Sequence, residues 1–138
     1  MTDPALTVDA VLSDDLREWL MRTLRYPVIA INVPSGAPSQ SVMWFDLDPS
    51  EPDTILLNTK VGRAKDRWLR RDPRVSLCFE EGLTWVAMRG TVELDDDRER
   101  ALAHIGELAI RYGADPRQYD GQQRVMIRMR VEKVIRHD

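Results

Sequence analysis

The stretch NTKVGRAKDRWLRRDPRVSLC, residues 58–78, places a short basic helix between two strands. Gly62 allows a sharp turn before the helix, and the spacing of apolar residues predicts helix from 63 to 71. Asp72 and Pro73 end it, because proline disfavours the helical conformation in the residue before it. The fold can be worked out in both directions from this helix.

The first turn of the helix carries charges of an unfavourable sign. A helix N-terminus is electropositive, so a cation there costs roughly 0.3 to 1 kcal/mol, yet Arg63 and Lys65 occupy it. At about 100° per residue, Lys65 projects between Trp68 and Leu69 on the face that turns toward the core. An ammonium group directed inward there requires a nearby anion. Arg63, Lys65 and the free N–H groups after Gly62 therefore predict a phosphate site.

Two other interpretations of these cations are open. Lys65 can extend past the apolar surface into water, or pair with an acid such as Asp46 or Glu80. The basic helix could also bind nucleic acid. However, residues 60–74 carry seven basic and two acidic side chains, a charge of +5, which leaves −8 on the rest of a chain whose net charge is −3. That remainder would repel a polyanion, so no nucleic-acid partner is expected.

The rest of the chain alternates turns with short apolar segments and contains no repeat or linker, which indicates one domain over residues 1–138. The predicted helices cover 13–24, with Ser13 as N-cap, and about 97–112; the predicted strands cover 28–33, 39–47, 54–59, 75–80, 84–94 and 124–135. Short hairpin connections favour an antiparallel sheet curled into a barrel over a parallel sheet. The expected fold is therefore mainly β with flanking helices.

Composition narrows the function classes. One cysteine, Cys78, excludes an internal disulfide, and two histidines give no expectation of a metal site. The chain shows no N-terminal leader and no apolar run of roughly 20 residues, so a cytoplasmic protein without a membrane segment is expected. His104 is expected at the surface of its helix, and Asp46 and Asp48 in a turn rather than at a metal. None of the G-x-G-x-x-G, G-x-x-x-x-G-K-[ST] and G-x-S-x-G signatures occurs.

Three segments together resemble a known superfamily: SVMWFDLD at 41–48, ILLNTKVGRAKDRWLRRDPRVSL at 55–77 and WVAMRGTVEL at 85–94. They resemble the pyridoxamine 5'-phosphate oxidase-like split β-barrel proteins, in particular the flavin/deazaflavin-dependent oxidoreductase branch. The resemblance spans about residues 13–135 and implies an antiparallel, FMN-binding type of split β-barrel that forms a homodimer. Pyridoxamine phosphate oxidase activity itself is not implied, because the C-terminal RMRVEKVIRHD lacks that enzyme's Trp-Gln-Gly turn and Arg-x-His pair.

The resemblance also implies a cofactor site at the subunit interface, built from both chains. Arg63 and Lys65 would hold the cofactor phosphate, strand 39–43 would border the ring system through its backbone, and residues 83–85 would come from the partner subunit. The implied cofactor-binding residues are Ser39, Gln40, Ser41, Val42, Met43, Asn58, Thr59, Arg63, Ala64, Lys65, Leu83, Thr84 and Trp85. For Trp44 and Trp85, packing in the barrel is as open an interpretation as contact with the cofactor.

The implied function is hydride transfer between coenzyme F420, or FMN as the alternative cofactor, and a small unsaturated or heterocyclic substrate. Such a cofactor carries the hydride chemistry itself. No Ser/His/Asp set, Cys/His pair or carboxylate dyad is evident, so no catalytic residue is assigned. The basic residues Lys60, Arg67 and Arg71 favour F420, whose polyglutamyl tail carries carboxylates. The alternative is a non-enzymatic protein that binds or stores FMN, F420 or haem on the same fold.

Overall fold

The computed structural model describes residues 11–137, which form an antiparallel sheet with three α-helices packed around it. The strands are β1 (Val28–Asn32), β2 (Pro38–Val42), β3 (Asp46–Leu47), β4 (Thr54–Lys60), β5 (Arg74–Glu81), β6 (Thr84–Asp95) and β7 (Arg124–His137). The helices are α1 (Asp14–Arg22), α2 (Ala64–Arg71) and α3 (Arg98–Arg111), and a short 3-10 turn follows at Pro116–Tyr119. The predicted mainly β architecture with flanking helices is confirmed.

The order of the strands shows how the sheet closes into a barrel. Neighbouring strands run β2-β1-β5-β6-β7-β4-β3, so β2 and β3 occupy opposite edges, although only residues 43–45 separate them in the chain. A flat sheet of seven strands would hold its edges about 29 Å apart, whereas the chain from Val42 to Asp46 spans at most about 14 Å. The sheet must therefore curl until its edges meet at residues 43–45, which we call the seam. The predicted split barrel is confirmed.

The single strand predicted over 39–47 is wrong in its middle. The backbone N–H of Met43 donates to the Pro27 carbonyl at 2.8 Å, which is the last bond in the register of β1 and β2. The segment then parts from β1 and joins β4 at Asp46. The sequence predicts a single strand here because hydrophobicity does not change where the chain crosses the seam from β2 to β3.

Alternate side chains of the long strands fill the barrel interior. Phe79 lies opposite Val86, and Leu77 opposite Met88, in the β5–β6 ladder. Each of these four side chains is 1% exposed. They belong to the main core, which the apolar faces of α1 and α2 also join. Burial of such side chains, each contributing about 1.5–3 kcal/mol, is the principal stabilising term of the fold.

Helix α1 begins as predicted and ends two residues early. The Ser13 hydroxyl accepts the Leu16 N–H at 3.2 Å, which makes Ser13 the N-cap. The helix ends at Arg22, and Arg25 turns back so that its Nε donates to the Trp19 carbonyl at 2.9 Å.

No helix within residues 11–137 is both long and apolar enough to cross a membrane.

Helix α3 covers the outer face of β4 and β7. Its Ala101 forms a second, smaller core with Leu56 and Met126. This contact covers a face where alternation along β7 predicts exposure, so the first four residues of β7 are all buried. His104 of α3 is only 4% exposed. Its predicted surface position is wrong, because α3 turns this side toward the sheet.

Gly90 lies where β6 bends closely over β7. The register shifts between Arg89, which is opposite Lys133, and Gly90, which is opposite Val131. A Cβ at Gly90 would lie 2.1 Å from the backbone oxygen of Arg130. Only a movement of the β7 backbone could relieve that contact, so this position requires the absence of a side chain.

We expect Gly90→Ala to lower the free energy of unfolding by about 1–3 kcal/mol, the usual cost of overpacking, as measured by urea denaturation. Gly106→Ala is the matched control, since its added Cβ would meet only the Pro116 Cβ at 3.7 Å, and alanine favours the helix. Equal stability of Gly90→Ala and the wild type would contradict the steric account.

Asp48 organises the turn between β3 and β4. Its Oδ1 accepts the Ser50 N–H at 2.8 Å, the Ser50 hydroxyl at 2.9 Å and the Glu51 N–H at 3.2 Å. Its Oδ2 accepts from Arg128. Burial by itself would raise the pKa of Asp48, but these hydrogen bonds lower it to about 2. Asp48 therefore has the turn role expected of it.

This lowered pKa makes stability depend on pH. Because the folded-state pKa of Asp48 lies below the unfolded-state value, its contribution is complete above about pH 4 and is lost as the pH falls toward about 2. Asp48→Asn should therefore lower the free energy of unfolding at neutral pH by on the order of 2 kcal/mol and flatten the acid limb of the stability curve. Denaturation series at neutral and acidic pH measure this, and parallel acid limbs in the two proteins would rule it out.

Candidate functional site

A cavity of about 260 Å³ opens at the seam. It brings together the end of β2, the residues just after it, the end of β4, the start of α2, one side of α3 and the start of β7. Its lining residues are Val42, Met43, Trp44, Asn58, Thr59, Arg63, Lys65, Ile105, Leu108, Tyr119 and Arg124. Segments far apart in the sequence therefore converge on the place where the sheet edges meet.

The start of α2 presents two cations to this cavity. Arg63 is the N-cap residue, with extended backbone and no capping hydrogen bond from its side chain, and Lys65 follows in the first turn. Neither forms a salt bridge with any residue between 11 and 137. Burial lowers the pKa of Lys65, and the charge of Arg63 lowers it further. Both effects make the charged ammonium less favourable in the ligand-free protein than in water.

The acids weighed as partners of Lys65 are engaged elsewhere. Asp46 Oδ1 lies 3.0 Å from His104 Nε2, and Glu80 accepts the Gly82 N–H at 3.0 Å. The ion-pair interpretation of Lys65 with either acid is therefore wrong. No carboxylate in the described part of the chain pairs with Lys65, so an external anion is still the expected partner.

Asp66 fixes the loop before α2. Its Oδ2 accepts the Gly62 N–H at 2.8 Å and its Oδ1 accepts Arg70 Nε at 2.8 Å. Gly62 has a φ of 84°, the left-handed conformation that suits glycine. The Gly62 N–H is thus already used. In the first turn of α2, the N–H groups of Ala64, Lys65 and Asp66 have no acceptor within residues 11–137.

Arg124 adds a third cation. Along 124–135 the apolar Val125, Ile127 and Met129 alternate with basic residues, a pattern that predicts an outward side chain for Arg124. It is only 6% exposed, and it forms no salt bridge within the described residues. Its Nε donates to Asn58 Oδ1 at 2.9 Å and its Nη1 to Gln122 Oε1 at 3.1 Å. Burial lowers the pKa of Arg124, and Arg63 lowers it further. Its guanidinium carbon lies 5.2 Å from the centre of the Tyr119 ring.

Asn58 connects Arg124 to a buried polar chain behind the cavity. Asn58 Nδ2 donates to the Ala101 carbonyl at 3.0 Å and lies 3.1 Å from His104 Nδ1. The other ring nitrogen of His104 contacts Asp46, as described above. His104 does not line the cavity, so the chain supports the wall and does not contact a ligand through its imidazole.

Trp44 forms an aromatic wall of the cavity. Its ring stacks on Tyr112, with centroids 5.1 Å apart and planes 4° from parallel. The Tyr112 hydroxyl donates to the Arg25 carbonyl at 2.6 Å and accepts the Phe45 N–H at 3.4 Å. These bonds fix the Tyr112 ring and, through stacking, the Trp44 ring. Trp44 therefore both packs in the fold and lines the cavity.

The predicted cofactor-binding residues divide into those that line the cavity and those that do not. The cavity brings together Val42, Met43, Asn58, Thr59, Arg63 and Lys65. Ala64 lies beside them in the first turn of α2, and Ser39, Gln40 and Ser41 lie on β2, an edge strand that pairs only with β1. Leu83, Thr84 and Trp85 lie at the β5–β6 turn, with Leu83 91% exposed, and do not line the cavity of their own chain. All these binding roles stay predictions.

The chemistry of the lining is that of an anion and ring receptor. Three cations face a wall of aromatic and aliphatic side chains, and the lining within residues 11–137 includes no carboxylate, histidine or cysteine. The same residues contain no group of three or more His, Cys, Asp or Glu side chains that could hold a metal ion. The arrangement can bind a flat apolar group joined to an anion, and Lys65 is a lining group whose pKa is lowered toward the range of an acid or base.

Comparison with known proteins gives a consistent result. A family model described as pyridoxamine 5'-phosphate oxidase matches residues 13–138. The structure of an F420 reductase is 25% identical, with a TM-score of 0.73 over 86% of this chain and 94% of that one. The Mycobacterium tuberculosis protein Rv2991 is 27% identical, with a TM-score of 0.75 over 96% of this chain and 88% of that one. General Stress Protein 26 from Bacillus anthracis shares the fold at 15% identity, with a TM-score of 0.66 over 88% and 92%. No curated protein matches the chain.

The unpaired state of Lys65 predicts an unusual response to mutation. Lys65→Met keeps the aliphatic stem and removes a charge that is repelled by Arg63, so the ligand-free variant should unfold at the same or a higher temperature than the wild type. Thermal unfolding at low and high salt measures this. The gain should shrink with salt, which screens the repulsion. A lower unfolding temperature would mean that Lys65 has a stabilising partner.

Proposed function

The chain belongs to the pyridoxamine 5'-phosphate oxidase family, and from that premise we propose that it is an oxidoreductase that uses a flavin or deazaflavin cofactor. The observation that carries the proposal is the cavity at the seam, where Arg63 and Lys65 have no counter-ion among residues 11–137 and lie beside the wall formed by Trp44. A flavin-type cofactor has a planar ring system joined by a flexible chain to a phosphate. Its two ends match the two chemically different sides of the cavity.

The residues present fit such a group at its phosphate end. Arg63 and Lys65 would supply charge, and the N–H groups of Ala64 and Lys65 would supply hydrogen bonds at the electropositive start of α2. Charge-assisted hydrogen bonds of this kind contribute about 1.5–3 kcal/mol each. The bound phosphate would also remove the repulsion between the two side chains, so binding and stability would be coupled.

The ring end would meet the seam. Val42 ends the edge strand β2, whose outer backbone groups have no strand partner in the described residues, and Met43 follows it in the seam. The Trp44 ring is held parallel to the Tyr112 ring by stacking. When bound, the cofactor carries the hydride to or from a small unsaturated or heterocyclic substrate. The protein's own part is to orient the ring system and exclude water around it.

We place the complete site in a homodimer. The cavity of one chain, about 260 Å³, is smaller than the roughly 300–1,000 Å³ of most small-molecule sites. Leu83 and Trp85 are exposed apolar residues, 91% and 37% accessible, that do not reach this cavity in their own chain. A second copy that contributed residues 83–85 would enlarge the site and bury those side chains.

Coenzyme F420 is our preferred cofactor, with FMN as the alternative. Lys60, Arg67 and Arg71 form no salt bridge within residues 11–137, whereas Arg70 is held by Asp66 and Asp96 at 2.8 and 2.6 Å. Arg67 and Arg71 donate only to backbone carbonyls, those of Gly62 and Asn32. All three cations could therefore meet the carboxylates of the F420 tail. The likeness to an F420 reductase supports the same choice.

A non-enzymatic role is the second candidate. The observation that favours it is the cavity lining, which offers a receptor for an anion and a ring. Apart from Lys65, assigned here to the anion, its evident proton donors are the hydroxyls of Thr59 and Tyr119. A protein that binds or stores FMN or F420 would need only that. A storage protein and an oxidoreductase differ in turnover, because only the latter reoxidises the bound reduced cofactor when a substrate is supplied.

Cofactor binding is the direct test. We expect the purified protein to bind F420, which is measured as quenching of the cofactor's fluorescence. If FMN is the cofactor instead, the protein should show the flavin absorption band. Lys65→Met should weaken binding by about 1 kcal/mol or more, the contribution of one charge-assisted contact. If the ligand-free variant keeps the stability predicted for it above, lost binding cannot be ascribed to unfolding.

Lys133→Met is the matched control, because Lys133 is an exposed lysine of β7 that does not line the cavity. It should bind cofactor like the wild type. If neither F420 nor FMN binds the wild type at micromolar concentration, the cofactor proposal fails. Binding without oxidation of the reduced cofactor across a panel of unsaturated and heterocyclic acceptors would favour the storage role.

A further inference from the structure

We propose that Arg124 is a third ligand for the bound anion, and that Asn58, His104 and Asp46 are positioning residues that hold its guanidinium toward the cavity. The inference rests on the proposed function in one respect, that the anion is the phosphate end of a flavin or deazaflavin. It adds a binding residue and a supporting chain to the two cations at the start of α2.

The environment of Arg124 lacks the anion that a buried guanidinium needs. The side chain is almost fully enclosed and has two neutral acceptors, Asn58 Oδ1 and Gln122 Oε1, but no carboxylate within the described residues. An enclosed charge without an opposite charge is costly. The hydrogen bonds within residues 11–137 use its Nε and Nη1 and leave Nη2 without an acceptor there, and Arg124 shares the cavity with Arg63 and Lys65. A ligand anion would complete the set.

The hydrogen-bond chain behind Arg124 has one consistent direction. Arginine can only donate, so the Asn58 oxygen must face Arg124 and the Asn58 amide nitrogen must face His104. His104 Nδ1 is then the acceptor, and Nε2 carries the proton that is donated to Asp46. Every donor in the chain points from Arg124 toward the carboxylate. Hydrogen bonds aligned in this way strengthen one another. They hold the Asn58 amide in one orientation, and that amide in turn holds the Arg124 guanidinium.

Three cations around one position indicate the class of ligand group. A single negative charge would leave the cluster with a large excess of positive charge, whereas two or more would neutralise most of it. The shared chemistry is therefore a group with at least two negative charges. The terminal phosphate of FMN provides these by itself, and F420 provides them as a phosphodiester followed by carboxylates.

The first experiment compares ligands that differ only in the anion. Arg124→Gln should lower the affinity for FMN about tenfold or more, measured against riboflavin, which lacks the phosphate. The ratio of the two affinities isolates the contact to the anion. If F420 is the cofactor, its chromophore without the phosphate side chain takes the place of riboflavin. Arg130→Gln, an exposed position on the same strand, is the control and should keep the wild-type ratio.

The second experiment tests the positioning chain. In His104→Asn the amide oxygen can stand where Nδ1 was and still accept from Asn58, whereas in His104→Gln the amide reaches the position of Nε2 and leaves Asn58 without that acceptor. We expect His104→Gln to reduce the FMN to riboflavin ratio about threefold or more, and His104→Asn to stay within about twofold of the wild type. A merely structural role would change both ligands equally in both variants.

Failure of this inference is distinguishable from failure of the proposed function. If the wild type binds neither FMN nor F420, the cofactor proposal falls, and inorganic phosphate alone becomes the probe. An excess of phosphate, compared with chloride at equal ionic strength, should then raise the unfolding temperature of the wild type more than that of Arg124→Gln. If Arg124→Gln matches the wild type both in the ligand ratio and in the response to phosphate, Arg124 is not an anion ligand.

Discussion

Three residues join the two opposite edges of the sheet, and the rest of the structure depends on that short connection. The chain leaves β2 after Val42 and enters β3 at Asp46, which no flat sheet of this width would allow. The barrel therefore closes at the seam, where the two edges meet without a shared ladder. A cavity lies at this point, and the seam residue Trp44 is available to line it.

The same closure gathers positive charge. Helix α2 begins directly after β4, beside the seam, and β7 pairs with β4 so that Arg124 lies opposite Lys60. Arg63, Lys65 and Arg124 thus reach one cavity from two elements, although their mutual repulsion opposes folding. Asn58 and the buried chain behind it partly offset that cost by solvating the guanidinium. In our account, the remaining free energy is recovered when an anion binds, and this is why the described part of the chain supplies the cluster with no counter-ion.

Much of this arrangement could be predicted from the sequence, for local reasons. The start of α2 was predictable because Gly62, the helix periodicity and the Asp72–Pro73 pair are adjacent in the chain. The unusual charges in its first turn pointed to Arg63 and Lys65 without any knowledge of tertiary structure. Most strands were also predictable, because one of their faces is buried in a single core and the side chains alternate.

The parts that could not be predicted depend on long-range contacts. Arg124 resembled an outward charge of an alternating strand, since nothing in the sequence shows that α3 covers that end of β7. His104 resembled a surface residue for the same reason. Its donor and acceptor partners, Asn58 and Asp46, lie 46 and 58 positions away in the chain. The break in the strand over 39–47 was likewise invisible, because only the pairing of each half reveals it.

The central claim is that a cofactor phosphate completes the cation cluster at the seam. A crystal structure of the protein with F420 or FMN bound tests it most directly. We predict that the phosphate contacts Arg63, Lys65 and Arg124 together and that the ring system lies along residues 39–44. A phosphate bound away from these three side chains, or a cofactor on another face of the barrel, would contradict the account.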